Sequence, residues 1–85
     1  MALIEDAVDA LRADALDDDT AAEATREAHK LAGSLGTFGM PEGTTQARAI
    51  ERALTAGPAP ADAPALAERV AVLRTVVEGG GDVAG

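Results

Sequence analysis

His29 is the only histidine in the chain, and its residue type is the one that most directly suggests chemistry. It lies in the run AHKLAGSLGTFG, residues 28–39, where Gly33 follows one helical turn later. A glycine inside a helix costs roughly 1 kcal/mol relative to alanine, so some other gain is expected at that position. Neutral imidazole is a competent nucleophile near pH 7. His29 and Gly33 together therefore predict a reactive imidazole with space beside it for another molecule.

Two basic residues accompany this histidine. Arg26 lies one helical turn before His29, and Lys30 follows it directly. Cations in these positions suit an incoming phosphoryl group, and they are distinctive in an acidic chain. A lone histidine on a helix is usually a surface residue with no task, and the spacing alone leaves that interpretation open.

Composition limits the classes of protein that are possible. The 85 residues are enough for one small domain, and the absence of cysteine excludes disulfides and thiolate metal sites. We expect a cytoplasmic protein that has no membrane segment, because no apolar run is long enough to span a bilayer. A net charge of −8 and a single aromatic residue, Phe38, argue against binding to nucleic acid or anionic lipid.

Apolar residues recur at helical spacing in four segments, which are residues 3–15, residues 20–38, a third from Pro41 up to the break at 57–60, and residues 62–77. The predicted buried seam of the second helix consists of Ala21, Ala24, Ala28, Leu31, Leu35 and Phe38. The acidic stretch 17–20 offers N-cap side chains for that helix, and Asp62 is the predicted cap of the fourth. These features predict an all-α fold, an antiparallel up-down four-helix bundle over residues 1–79, followed by a flexible glycine-rich tail at 80–85.

The segment 28–54 resembles the signature of histidine-containing phosphotransfer (HPt) domains, the carriers of bacterial phosphorelays. That signature has a histidine, an aliphatic residue, a glycine and a small residue, then a glycine-containing turn and an aliphatic-acidic pair on the next helix. The matching residues are His29, Leu31, Gly33, Ser34, the turn Gly36-Thr37-Phe38-Gly39, and Ile50-Glu51.

The resemblance implies that His29 is the phosphoacceptor, which takes a phosphoryl group from a receiver aspartate and passes it to another receiver. It implies that Lys30, Arg26 and Glu51 support the phosphoryl group or the imidazole, with Gln46 and Arg48 as weaker candidates for the same neighbourhood. It also implies docking of the partner over Ala32, Gly33 and Gly36. Ala32 departs from the pattern, because many members carry lysine or arginine there.

The implied protein is a carrier and not an enzyme, since the family has no nucleotide site and no GxxxxGK[ST] motif occurs in this chain. Its expected partners are response-regulator receiver domains, with a hybrid histidine kinase as a further candidate. No cofactor or metal is expected on the chain itself, because Mg²⁺ would be held by the receiver. The oligomeric state stays open.

Two other classes of protein remain as alternatives. The first is an HPt-like module that has lost phosphorylation and only docks or dimerises, which the departure at Ala32 keeps open. The second is an acyl-carrier protein, which is also small, acidic and four-helical. That class needs a serine at the start of a helix, whereas Ser34 is expected near the end of one. A metal site has less support, because one histidine with scattered carboxylates is not a ligand set.

Overall fold

The computed structural model describes residues 1–84, with side chains for residues 1–79. In this part of the chain the helices are α1 (Ala2–Arg12), α2 (Asp18–Thr37), α3 (Pro41–Thr55) and α4 (Ala63–Ala84), with a 3₁₀ turn at Pro60–Asp62. Consecutive helices pack on one another and α4 also packs on α1, so the predicted antiparallel four-helix bundle is confirmed. None of these helices combines the length and apolarity needed to cross a membrane. The tail predicted at 80–85 lies outside the residues whose side chains are described.

Helix α1 is shorter than the predicted 3–15, because the chain turns sharply after Arg12. Asp14 has a φ of 56°, in the left-handed region, and the Ala15 N–H donates to the carbonyl of Ala10 at 2.7 Å. This six-to-one bond closes the last turn and directs the chain toward α2.

The acidic stretch before α2 caps that helix, as predicted. The Asp17 carboxylate accepts a hydrogen bond from the Thr20 N–H at 2.7 Å, which satisfies one of the free amide donors of the first turn. The same backbone hydrogen bond holds the pKa of Asp17 below its usual value of 3.8. A lowered pKa in the folded state means that this contribution to stability is present at neutral pH and is lost as the pH falls through that lowered pKa.

Helix α2 ends in a glycine turn, and α3 begins directly after it. Gly39 has a φ of 69°, and the Met40 N–H donates to the carbonyl of Leu35 at 2.9 Å. Pro41 is the first residue of α3, as predicted, where a missing N–H costs nothing. The α2–α3 connection is therefore short, which keeps the two helices adjacent and antiparallel.

The start of α4 differs from the prediction. The Asp62 carboxylate accepts from the Ala59 N–H at 2.9 Å, inside the 3₁₀ turn that precedes α4. This side chain therefore fixes the turn that leads into α4. The helix itself begins at Ala63 and runs past the predicted end at residue 77.

The core is built largely from small aliphatic side chains. Its fifteen members among residues 1–79 are Ile4, Ala7, Val8, Leu11, Ala24, Ala28, Ala32, Leu35, Ala47, Ile50, Leu54, Ala63, Leu66, Val70 and Leu73. Six of them are alanines, and α2 contributes three of those six. Alanine methyl groups occupy little space, so the backbone of α2 can approach its neighbours closely.

The buried face of α2 is shifted by about one residue around the helix relative to the predicted buried face. Ala32 is buried at 3% exposure, whereas Leu31 is only half-buried. Phe38 was predicted to be buried, and this is wrong, because its side chain is 74% exposed. The helix ends at Thr37, so Phe38 lies in the turn and no longer follows the helical repeat.

Gly43 fixes the packing of α3 against both of its neighbours. A Cβ added to this buried glycine would lie 2.9 Å from Leu35 Cδ1 and 3.1 Å from Val76 Cγ1. The first distance would force Leu35 to move and the second is tighter than most carbon contacts, so the missing side chain lets α3 sit close against α2 and α4.

We predict that the same substitution has very different effects on stability at two glycines. Gly43→Val should lower the free energy of unfolding by about 1–3 kcal/mol, because the larger side chain overpacks the junction of three helices. Gly33→Val should change it by less than about 0.5 kcal/mol, because a Cβ there meets nothing within 4 Å. Urea denaturation followed by circular dichroism measures both. Equal losses in the two variants would contradict the packing assigned to Gly43.

Candidate functional site

His29 and Glu51 meet across the groove between α2 and α3. The Nδ1 atom of His29 lies 2.9 Å from Oε2 of Glu51, within hydrogen-bonding distance. The imidazole is 75% exposed, whereas the Glu51 side chain is 28% exposed. The ring is therefore held from one side and open to solvent on the other.

This contact determines which ring nitrogen is available for chemistry. An ionised carboxylate only accepts hydrogen bonds, so the hydrogen between the two groups belongs to Nδ1 of His29. In the neutral ring, the lone pair is then on Nε2. Glu51 thus favours the tautomer that carries its hydrogen on Nδ1 and its lone pair on Nε2. Nε2 is not engaged by the protein and can act as a nucleophile.

Small residues between α2 and α3 bring the two side chains together. Ala28 and Ala47 are fully buried, and the Thr44 hydroxyl lies 3.5 Å from the carbonyl oxygen of Ala32. His29 follows Ala28, and Glu51 comes one turn after Ala47, so both emerge at the edge of the same close contact. The groove is narrow enough for one hydrogen bond to bridge it.

Gly33 and Gly36 form an open surface beside the imidazole. At helical spacing they lie within about 60° of His29 around the axis of α2, and both are exposed. An added Cβ at Gly33 would meet nothing, and one at Gly36 would lie at an ordinary 3.8 Å from the Thr44 hydroxyl. Packing within the chain therefore requires neither glycine, so close helix packing does not explain them.

Three other residues predicted at the site have different surroundings. Arg26 and Lys30 are exposed, and neither forms an ion pair within residues 1–79. Ala32 was predicted to contact a partner, but it packs in the core, so the structure removes it from the docking surface. Helical spacing explains this. Around the axis of α2, Ala32 is rotated by about 60° from His29 toward the core, whereas Gly33 is rotated by about 40° toward solvent.

Of the weaker candidates, Gln46 faces elsewhere, since its Oε1 accepts from Arg69 Nη1 of α4 at 3.2 Å. Thr44 is a residue that the sequence did not single out. Its hydroxyl also donates to the Met40 carbonyl at 3.1 Å, which is an ordinary bond within a helix, so no sequence signal marks its contact with α2. The described residues include no group of three His, Cys, Asp or Glu side chains placed to hold a metal ion.

Comparison with known proteins is consistent with this geometry. The chain matches the family model of the Hpt domain over residues 1–79, which is almost its whole length. Searches of curated proteins and of solved structures found no match. The chain therefore belongs to the Hpt domain family, whose members carry phosphoryl groups on a histidine in two-component signalling.

Proposed function

We propose that this domain accepts a phosphoryl group on Nε2 of His29 from a receiver-domain aspartate and returns it to the aspartate of another receiver. The observation that carries the proposal is the exposed imidazole, held by Glu51 through Nδ1 with its other nitrogen open to solvent. The family membership supports the same role.

The transfer needs no proton to move. In the forward step a bond forms between Nε2 of His29 and phosphorus, and the bond between phosphorus and the aspartyl oxygen breaks, so that a carboxylate leaves. The ring becomes a phosphorylated imidazolium that keeps its hydrogen on Nδ1. Because Glu51 lies 2.9 Å from that nitrogen, its negative charge stabilises the positive charge that develops on the ring.

The second part of the proposal concerns docking. Gly33 and Gly36 give the convex face of α2 a low surface next to His29, against which a receiver can bring its aspartyl phosphate within reach. Arg26 and Lys30 border that surface and favour the negative charge of the phosphoryl group. We expect a small, transient interface of the kind typical of signalling partners.

The domain acts in this scheme as a carrier that relies on its partners for nucleotide chemistry. We assign Mg²⁺ and much of the stabilisation of phosphoryl charge to the receiver, which supplies the other half of the reaction centre. A hybrid histidine kinase is a further source of the phosphoryl group. We assign the exchange to the cytoplasm, where receivers of this signalling class act.

The direct test is chemical phosphorylation of the folded protein. With phosphoramidate as donor, we expect acid-labile phosphate on the wild type and none on His29→Gln, because no other histidine is present. Mass spectrometry before and after acid treatment measures the label. Since the imidazole is 75% exposed, the helix content of His29→Gln should equal that of the wild type.

Two outcomes of that experiment would count against the proposal. Acid-labile phosphate that persists in His29→Gln would place the acceptor elsewhere. A folded wild type that stays unlabelled, while the urea-unfolded chain is labelled, would favour the docking module without relay activity.

The contact with Glu51 predicts a second effect. Glu51→Ala should slow phosphorylation of His29 by about tenfold, because the ring loses the group that selects its tautomer and stabilises its charge. The ¹⁵N shifts of the imidazole should show Nδ1 protonated in the wild type and a mixture of tautomers in the variant.

Thr55→Ala serves as the matched control, because Thr55 is exposed one turn further along α3 and bonds only to the Glu51 carbonyl. That variant should keep both the rate and the ¹⁵N shifts of the wild type. A slower rate in Glu51→Ala with unchanged tautomers would mean that Glu51 only supports the fold.

The glycine surface predicts a separation between chemistry and docking. Gly33→Gln should leave labelling by phosphoramidate within about twofold of wild type, because a small donor passes beside the added side chain. Transfer from a phosphorylated receiver that serves the wild type should fall by at least tenfold, since a bulky group now holds the partner away. Equal transfer rates from that receiver would contradict the assigned docking surface.

A further inference from the structure

The basic residues of this acidic chain are concentrated around the His29–Glu51 contact. The segment 26–30 reads Arg-x-x-His-Lys, and the segment 48–52 reads Arg-x-x-Glu-Arg. Each member of the contact thus has a cation three residues before it and another directly after it. Four of the seven lysines and arginines are accounted for in this way.

The antiparallel packing of α2 and α3 distributes these charges around the contact. His29 meets Glu51, and Ala32 lies against Thr44, so the two helices run in opposite directions. Arg26 and Arg48 are each one turn N-terminal to their partner residue, and they therefore lie at opposite ends of the contact along the groove. Both are rotated by about 60° from the contact toward solvent.

These four side chains are exposed, and none of them forms an ion pair within residues 1–79. Arg74 of α4, by contrast, forms two ion pairs: its Nη1 lies 2.8 Å from Oε2 of Glu5, and its Nε lies 3.2 Å from Oε2 of Glu78. On the α3 side of the contact there is also an open depression of about 240 Å³, lined by Thr45, Arg48, Glu51 and Arg52. The surroundings of the contact thus include four basic side chains without an ion pair in residues 1–79, and an open depression beside two of them, Arg48 and Arg52.

We propose that Arg48 and Arg52 complete, with Arg26 and Lys30, a cationic collar that attracts the negatively charged phosphoryl group of the donor to His29. Position 32 holds an alanine that is buried in the core, so it supplies no positive charge. Arginines on α3 would then supply that charge. The inference rests on the proposed function and adds two residues on a second helix to it. Exposed guanidinium groups suit this role, since they remain charged and attract an anion at long range.

The test compares two reagents that modify the same nitrogen but differ in charge. Phosphoramidate is anionic: the bond from Nε2 to phosphorus forms, the phosphorus–nitrogen bond of the donor breaks, and ammonia leaves. Diethyl pyrocarbonate is neutral and adds an ethoxycarbonyl group, releasing ethanol and carbon dioxide. Because the chain has one histidine, phosphohistidine and ethoxycarbonyl-histidine each report on His29.

We expect the double variant Arg48→Gln/Arg52→Gln to react with phosphoramidate about fivefold more slowly than wild type at 10 mM ionic strength. In water, one unit charge at a distance of about 8 Å from a reacting group changes the rate roughly twofold. At 150 mM the loss should fall below about twofold, because the screening length shortens from about 30 Å to about 8 Å. The reaction with diethyl pyrocarbonate should stay at the wild-type rate under both conditions.

The matched control is Arg12→Gln/Arg69→Gln, which removes the same charge from outside the collar. Arg12 lines the groove between α1 and α4, and Arg69 lies on α4. This control should retain most of the phosphoramidate rate, and Arg48→Lys/Arg52→Lys should retain it too. An equal loss in the control would overturn the collar in favour of net charge alone.

Two further results would also overturn the collar. The first is an equal loss with both reagents in the Arg48→Gln/Arg52→Gln variant, which would indicate a change in the exposure of His29. The second is an unchanged phosphoramidate rate in that variant. Failure of the proposed function would give a different result. In that case the wild type would react with diethyl pyrocarbonate but not with phosphoramidate.

Discussion

The close approach of α2 to α3 is the constraint on which the rest of this structure depends. Ala28, Ala32 and Ala47 fill the space between the two helices, and Gly43 has no side chain where a Cβ would collide with Leu35. With larger residues the helices would separate, and a single hydrogen bond could no longer join His29 to Glu51. The small residues of the core thus determine the geometry of the site at the surface.

That one hydrogen bond serves both orientation and chemistry. It holds an otherwise exposed ring, leaves the lone pair on the outer nitrogen, and places a carboxylate beside the nitrogen that stays protonated. In the proposed function the domain contributes only half of the reaction centre, so a compact site suffices. Transfer would further require access and a favourable electrostatic potential, and we assign these in our proposal to the exposed glycines and to the basic residues on both helices.

Gly33 and Gly43 show that one residue type can serve opposite purposes ten positions apart. Gly43 is buried, and its missing side chain allows α3 to pack against α2 and α4. Gly33 is exposed and has nothing near it, so its missing side chain affects only what approaches from outside. Sequence reasoning singled out the second because it neighbours His29, and it passed over the first because a glycine in the opening turn of a helix is unexceptional.

The sequence by itself determined the four helices, the turns at Gly39 and Pro41, and the candidate residues His29 and Gly33, because these depend on local spacing and local backbone chemistry. Glu51 came from the resemblance to the HPt signature. Only the tertiary structure decided that Ala32 is buried and Phe38 is exposed. The tertiary structure also shows that Arg48 and Arg52 line one surface depression with Glu51, the residue that contacts His29. Helical periodicity defines a face to within about one residue, and the position of the neighbouring helix then selects which side chains are covered.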